Sequence, residues 1–193
     1  MKKEYILFNK PFGVISQFTT QENKITLKNF GFPKNFYSVG RLDEKSEGLL
    51  LLTNDGLLHH KLINPKFEHK KIYLCQVENI PNEIDLEKLR KGIIIDGKKT
   101  LPAKVELLSE TPNIFPRSKE IRFRKNIPTS WLKIILKEGK NRQIRKMTAK
   151  INCPTLRLIR IEILFLSIEN LAIGKWRYLT NEEVLKLKKD LSI

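Results

Sequence analysis

The sequence predicts an α+β fold with a mixed, mainly antiparallel sheet and flanking short helices. Three observations carry that expectation. Short apolar runs, several with period-two alternation, are interspersed with short helical patterns. Their connections are of hairpin length. Strand and helix do not alternate in the steady rhythm that a parallel sheet requires. A length of 193 residues and a hydrophobic content of 40% fit one domain around one ordinary core, and exclude a disordered or fibrous chain.

Element by element, Tyr5–Phe8 is a short strand, stopped by Pro11 and Gly13. Lys24–Phe30 reads as a short helix or turn before Gly31. Tyr37–Leu42 leads into the polar loop Asp43-Glu44-Lys45-Ser46-Glu47-Gly48. Leu49–Leu52 is an apolar run bounded by turn residues, as in a strand buried on both faces. Thr53, Asn54 or Asp55 caps a helix to about Ile63, stopped by Pro65. Ile72–Val77 is a strand. Ile84–Lys91 is an amphipathic helix between Pro81 and Gly92. Ile93–Ile95 and Ala103–Leu108 are strands around a turn at Gly97. Pro112–Pro128 is a basic loop punctuated by prolines. Trp131–Lys137 alternates as a strand, Arg142–Ile151 is a basic helix, and Leu156–Ile163 alternates again. Glu182–Lys189 closes the chain as a helix capped by Thr180 or Asn181.

Charge narrows the function classes. The chain holds 37 Lys+Arg against 21 Asp+Glu, a net charge of +16. Between Arg117 and Lys150 the balance is twelve Lys/Arg against two Glu in 34 residues. Such clustering builds a phosphate-binding face through counterion release and points to nucleic acid. Two cysteines, Cys75 and Cys153, exclude a disulfide scaffold and a Cys₄ zinc site. His59, His60 and His69 lack cysteine partners in metal-ligand spacing, so no metal is expected. No purely apolar run exceeds the four residues of Leu49–Leu52, far short of the roughly 18 residues of a membrane span, and a cytoplasmic location is the expectation.

Three segments can carry chemistry. Gly40–Gly48 is a charged loop between two apolar strands, a rigid mount for a reactive group. Read blandly, it is a solvated connection with Arg41–Asp43 and Lys45–Glu47 surface pairs. In the second segment, Lys71 and Tyr73 point the same way on one strand, the lysine suited to phosphate and the tyrosine to a base. The third, Glu138–Met147, joins a strand to a basic helix, with Arg142 and Arg145 at i and i+3 on one face. A helix start with two arginines suits an anion, whether phosphate or a carboxylate such as Asp43.

In this order the segments resemble the pseudouridine synthases that modify ribosomal RNA at single sites. That family groups the type A enzyme of 16S rRNA with the type B, E and F enzymes of 23S rRNA. The family pattern Gly-Arg-Leu-Asp-x-x-Ser-x-Gly-Leu-Leu-x-x-Thr-x-Asp-Gly is filled from Gly40 to Gly56. Lys71-x-Tyr73 is similar to its second motif. Glu138-Gly139-x-x-Arg142-Gln143-x-Arg145-x-Met147 is similar to its third. Leu156-Arg157-Leu158-x-Arg160 and Gly174-x-Trp176-Arg177-x-Leu179-Thr180 match its closing segment. Most members carry a small N-terminal RNA-binding module. The catalytic pattern here begins at Tyr5, so residues 1–193 are expected to be a single catalytic domain without it. That absence, and Ile127–Ile134 after a basic loop, are similar to the E subgroup, which acts on 23S rRNA.

The resemblance implies a catalytic domain with a central cleft, and isomerisation of a uridine in 23S ribosomal RNA without a cofactor or metal. It assigns Asp43 as nucleophile, attacking ribose C1′ or uracil C6. Arg145, or else Arg142, pairs with it and keeps it ionised. Tyr73 stacks on the uracil and assists removal of the C5 proton. Arg41, Lys71, Arg122, Arg124, Lys140, Arg142 and Arg157 are the expected RNA contacts, with the Pro112–Pro128 loop gripping the strand. The partner is ribosomal RNA, without membrane or small-molecule cofactor, and the chain acts as a monomer. Two other classes compete: a non-enzymatic basic RNA-binding protein, which the charge alone would equally suit, and a nuclease or glycosidase using Asp43 and Glu47.

Overall fold

The computed structural model describes residues 2–121 and 126–193. A nine-stranded sheet among these residues is built in two halves. The first half comes from the N-terminal third: β1 (Tyr5–Lys10), β2 (Tyr37–Ser38) and β3 (Glu47–Thr53), followed by α1 (Gly56–Ile63). The second begins with β4 (Lys71–Glu78) and α2 (Glu83–Lys91). A small hairpin of β5 (Ile94–Ile95) and β6 (Lys98–Lys99) leads into β7 (Lys104–Leu108) and β8 (Thr129–Leu136). After α3 (Gln143–Lys150), the chain crosses the middle of the sheet as β9 (Thr155–Ile163) and turns back through β10 (Leu166–Ser167). It then returns to the first half as β11 (Trp176–Tyr178), ending in α4 (Asn181–Asp190).

The strand order is β11-β1-β3-β9-β4-β8-β7, with β2 beside β3 and β10 beside β9. Every pairing is antiparallel except β3 with β9, which run parallel through Glu47↔Ile159 and Gly48↔Arg160. The expected mixed, mainly antiparallel α+β architecture is therefore observed. Gly48 makes the parallel seam possible. Its φ is +99°, and a Cβ there would meet the Arg160 carbonyl oxygen at 2.2 Å, which no side-chain-bearing residue can tolerate.

Burial follows the two halves. On β1 and β3, alternate residues face opposite ways and both faces are covered. Tyr5, Leu7, Leu49 and Leu51 pack against α1 and α4 through Leu58, Leu62 and Leu187. Ile6, Phe8, Leu50 and Leu52 pack under an aromatic cap of Phe18, Phe30, Phe32 and Trp176. In the second half, one face (Tyr73, Cys75, Val77, Leu132, Ile134) is covered by α2 and α3. On the other face a smaller cluster of Leu74, Trp131 and Ile159 is overlain by Ile114 and Ile168.

The structure refines several element expectations. Asp55 is the cap of α1, its carboxylate accepting from the amides of Leu57 and Leu58. The turn at Gly97 joins Ile94–Ile95 to Lys98–Lys99, and β7 goes instead to the edge of the main sheet. Asp96 and Gly97 both have positive φ, as a two-residue hairpin turn demands. Only Tyr37–Ser38 of the expected Tyr37–Leu42 lead-in is strand. The three-residue β11, paired with β1, has no periodicity long enough to announce itself.

Candidate active site

A cleft of about 200 Å³ opens where the two halves meet. Leu51 and Leu62 bound it from the first half, and Tyr73, Ile144 and Leu158 from the second. Asp43, Arg41, Lys71, Tyr73, Lys140, Arg142 and Arg160 also line it.

Asp43 sits on the loop between β2 and β3, and that loop is fixed from three sides. Ser16 Oγ donates to the Leu42 carbonyl at 2.8 Å and accepts from the Leu42 amide at 3.1 Å. The Ser46 amide donates to the Asp43 carbonyl, and the Gly13 amide to that of Glu44. From beneath, the fully buried Lys10 ammonium donates to the carbonyls of Pro11 and Val14 at 2.9 and 2.7 Å and approaches that of Glu44 at 3.5 Å. Burial pushes Lys10 down to about 7, while Glu47, Asp43 and Glu44 pull the other way. Lys10 was not singled out from the sequence. The available signal was a lysine closing an apolar strand immediately before Pro11-x-Gly13.

The opposite wall is the start of α3. Arg142 stands at its N-cap with φ +51°, a left-handed conformation that turns the chain into the helix. The turn is braced by polar contacts. The Gln143 carboxamide nitrogen donates to Glu138 Oε1 at 2.6 Å, and the Lys140 amide donates to Gln143 Oε1 at 3.0 Å. Glu138 Oε1 also accepts from the Leu101 amide. Two arginines then meet Asp43 Oδ2, Arg142 Nη1 at 3.6 Å and Arg145 Nε at 3.8 Å. Similar distances hide different settings. The Arg145 side chain is 12% exposed and that of Arg142 is 48%. Arg145 also donates through Nη2 to the Lys45 carbonyl at 2.8 Å and to Ser46 Oγ at 3.3 Å. It thus clasps the loop while facing its carboxylate. Its shielded Nε has no hydrogen-bond partner among the described residues. Burial and the neighbouring Arg142 disfavour its charged form, and Asp43 counters them.

Lys71 and Tyr73 share the cleft face, as strand alternation predicts. Tyr73 is buried. Lys71 Nζ donates to the His69 carbonyl at 3.0 Å, and burial, then Arg160, pushes it down to about 8. Arg41 is exposed on the rim. Lys140 lines the cleft, but its ammonium is held by Glu138 at 3.1 Å and by the Lys99 carbonyl at 2.9 Å.

Arg157 does not face the cleft. It is buried on the other face of the sheet, paired to Glu47 through two contacts of 2.9 Å and donating to the Phe115 carbonyl. Strand alternation sends Leu158 and Arg160 to the cleft and Arg157 away from it, so it is a poor RNA contact. Glu47 leaves the cleft by the same pairing, so it cannot act with Asp43 as the second carboxylate of a nuclease or glycosidase. Arg122 and Arg124 lie outside the described residues. In the described part of the same loop, the Arg117 guanidinium stacks 3.6 Å from the Phe12 ring centroid. Among the described residues, no group of three or more His, Cys, Asp or Glu is placed to hold a metal, and no helix is long and apolar enough to cross a membrane.

Residues 4–150 match the family model of RNA pseudouridylate synthases. The chain belongs to that family. Its members are isomerases, and the relatives agree. The chain is 48% identical over 175 residues to ribosomal large subunit pseudouridine synthase E of Vibrio parahaemolyticus, covering 91% of this chain and 73% of the relative. It is 45% identical over 174 residues to the enzyme of that name from Xanthomonas campestris, covering 89% and 93%. A solved pseudouridylate synthase superposes with a TM-score of 0.79 at 27% identity, covering 96% of this chain and 74% of its own. The synthase motifs read from the sequence thus coincide with the cleft: the Gly40–Gly56 motif supplies Asp43, the second Tyr73, and the third both arginines.

Proposed function

We propose that this synthase converts a uridine of large-subunit (23S) ribosomal RNA to pseudouridine, with Asp43 as nucleophile. The observation that carries the reading is Asp43 itself. It is a carboxylate on a loop clasped by Lys10, Ser16 and Arg145, facing two arginines across a cleft whose floor holds a tyrosine. The names of the relatives support the substrate.

The reaction breaks the C1′–N1 bond and makes a C1′–C5 bond; a proton leaves C5 and one is gained at N1. A carboxylate is suited to it, because it can add to carbon and depart again. Attack at C1′ gives a ribosyl ester and frees the base to turn. Attack at C6 gives an adduct that turns with the base. In either route the uracil must leave its stack, at a cost of roughly a few kcal/mol, and Tyr73 offers a face to receive it. Arg145 faces the carboxylate and holds its loop in place. The exposed Arg41 and Arg142 contact phosphates at the rim, and Lys71 neutralises the strand deeper in.

The test is tritium release from C5-labelled uridine in unmodified 23S rRNA, comparing wild type with Asp43→Asn. Release by wild type and none by Asp43→Asn, at RNA affinity within about twofold, is expected. Release from 16S or transfer RNA alone would replace the substrate while keeping the chemistry. Tight binding without release from any RNA would leave a non-enzymatic RNA-binding protein. Loss of affinity together with activity in Asp43→Asn would remove Asp43 as nucleophile.

A further inference from the structure

Arg160 stands apart from the arginines that face Asp43. It lies on β9 directly opposite Tyr73 of β4 and beside Gly48 of β3. It is 4% exposed yet lines the cleft. Its Nε donates to the Leu49 carbonyl at 2.8 Å. Its Nη2 is shielded from water and has no hydrogen-bond partner among the described residues. No carboxylate among those residues forms an ion pair with it, and none does so with Lys71, whose charge Arg160 opposes. A charged donor kept from water with an unused N–H is a costly arrangement that native structures rarely keep without a use. Two unpaired cations at one end of a cleft define a place that wants an electron-rich group.

Depth selects the group. The cations at the rim, Arg41 and Arg142, are exposed where a phosphate backbone would pass. Arg160 is on the floor, next to the tyrosine, where a base extruded from its stack arrives before its phosphate can. We propose that Arg160 binds the uracil ring, donating from Nη2 to a carbonyl oxygen, O2 or O4, of the base held against Tyr73. This rests on the reading of the cleft as a uridine site and assigns a further substrate-binding residue within it. The chemistry gives the contact a purpose. When C1′–N1 breaks, the bonding pair leaves with N1 and spreads onto O2 and O4. When Asp43 adds to C6 instead, the displaced pair reaches O4. In both cases a fixed cationic donor meets charge that develops during the reaction. The charge is discharged when C5 bonds to C1′, C5 loses its proton and N1 takes one up.

The experiment uses the full chain and 23S transcripts carrying [5-³H]uridine, or its 2-thio or 4-thio analogue, throughout. Sulfur is a weaker acceptor than oxygen, so it weakens the contact at one atom. Single-turnover tritium release is compared between wild type and Arg160→Met, with RNA affinity measured at several salt concentrations. Release from the oxygen substrate should fall about 10²–10³-fold in Arg160→Met, with affinity within about twofold and an unchanged salt slope. One thio substitution should slow wild type but leave the variant's rate unaffected, a coupling that a merely structural arginine would not give. Should Arg160→Met fail to fold, Arg160→Lys, which keeps a cation in the sheet, takes its place in the cycle. Thio effects of equal size in wild type and variant overturn the contact. A salt slope reduced by about one unit would move Arg160 to a phosphate and also overturn it. If wild type releases no tritium from the oxygen substrate, the 23S uridine reading falls and this inference falls with it; every other failure is specific to Arg160.

Discussion

The two halves of the sheet solve the burial problem differently, and the cleft exists because they do. On β1 and β3 every residue is buried, six and seven in a row, because helices cover one face and an aromatic cap the other. On β4 and β8 the inner face is as well covered, but the outer face has only a small cluster beneath a loop. The first half is a rigid block that carries the Asp43 loop. The second presents Tyr73, Lys71 and the start of α3 to it. The Asp43 carboxylate and its arginines thus come from opposite sides of a seam, joined by a parallel contact of two residue pairs. A site built on packed strands and a helix start is more precise than one built on loops alone.

The seam is the place to break the comparison. Gly48→Ala should have the largest effect, because the added carbon overlaps the β9 backbone rather than a movable side chain. Loss of the cooperative thermal transition, or of soluble protein, is the expected result; a variant melting within a few degrees of wild type would mean that the halves are not locked there. Next is the buried pair behind the seam. Glu47→Ala alone should cost about 3–5 kcal/mol in urea unfolding, since it strands the Arg157 charge. Glu47→Leu with Arg157→Met should recover most of that loss. A single and a double variant of equal stability would show that the pair is not energetically coupled.

The two arginines at Asp43 sharpen the comparison on the functional side. Arg142→Ala should weaken RNA binding a few-fold and flatten its salt dependence by about one unit, with the single-turnover rate largely kept. Arg145→Met should lose the rate while the salt slope stays, because its guanidinium is engaged by the loop and the carboxylate. Identical profiles for the two variants would contradict this division. The smallest effect is in pH. Lys71 has a folded pKa near 8, below its unfolded value, so the folded protein gives up that proton first. Its burial penalty is complete below about pH 8 and is relieved as pH rises towards the unfolded value, so stability from this group rises across that window. Lys71→Met should make the rise in melting temperature between pH 8 and 10 shallower, by the equivalent of about 1 kcal/mol. An unchanged slope would place Lys71 in solvent.

Much of this was legible in the chain. Period-two alternation placed Lys71 and Tyr73 on one face, and i, i+3 spacing put Arg142 and Arg145 together at a helix start. The Gly40–Gly56 motif located the nucleophile candidate. Local rules suffice there because each relation is made within a few residues. The α1 cap was narrowed to three residues, and Asp55 was selected by its contacts: it accepts from two helix amides and from the Tyr5 hydroxyl, 50 residues away.

What the tertiary structure alone decided concerns residues that look alike in sequence. Arg157 and Arg160 are three positions apart on one strand, yet one faces Glu47 behind the sheet and the other the cleft. Alternation says that a strand has two faces; it does not say which of them borders the cleft. That choice is set by the register of β9 against β3 and β4, and Glu47 and Arg157 are 110 residues apart. Lys10 is a partial parallel, a surface-type side chain fully buried over the nearby carbonyls of Pro11 and Val14 and closed in by that of Glu44 from the Asp43 loop, 34 residues away. The sequence determined the chemistry available and its local order. Folding determined which charges are paired inside the protein and which are left to meet RNA, because that depends on contacts between segments far apart in the chain.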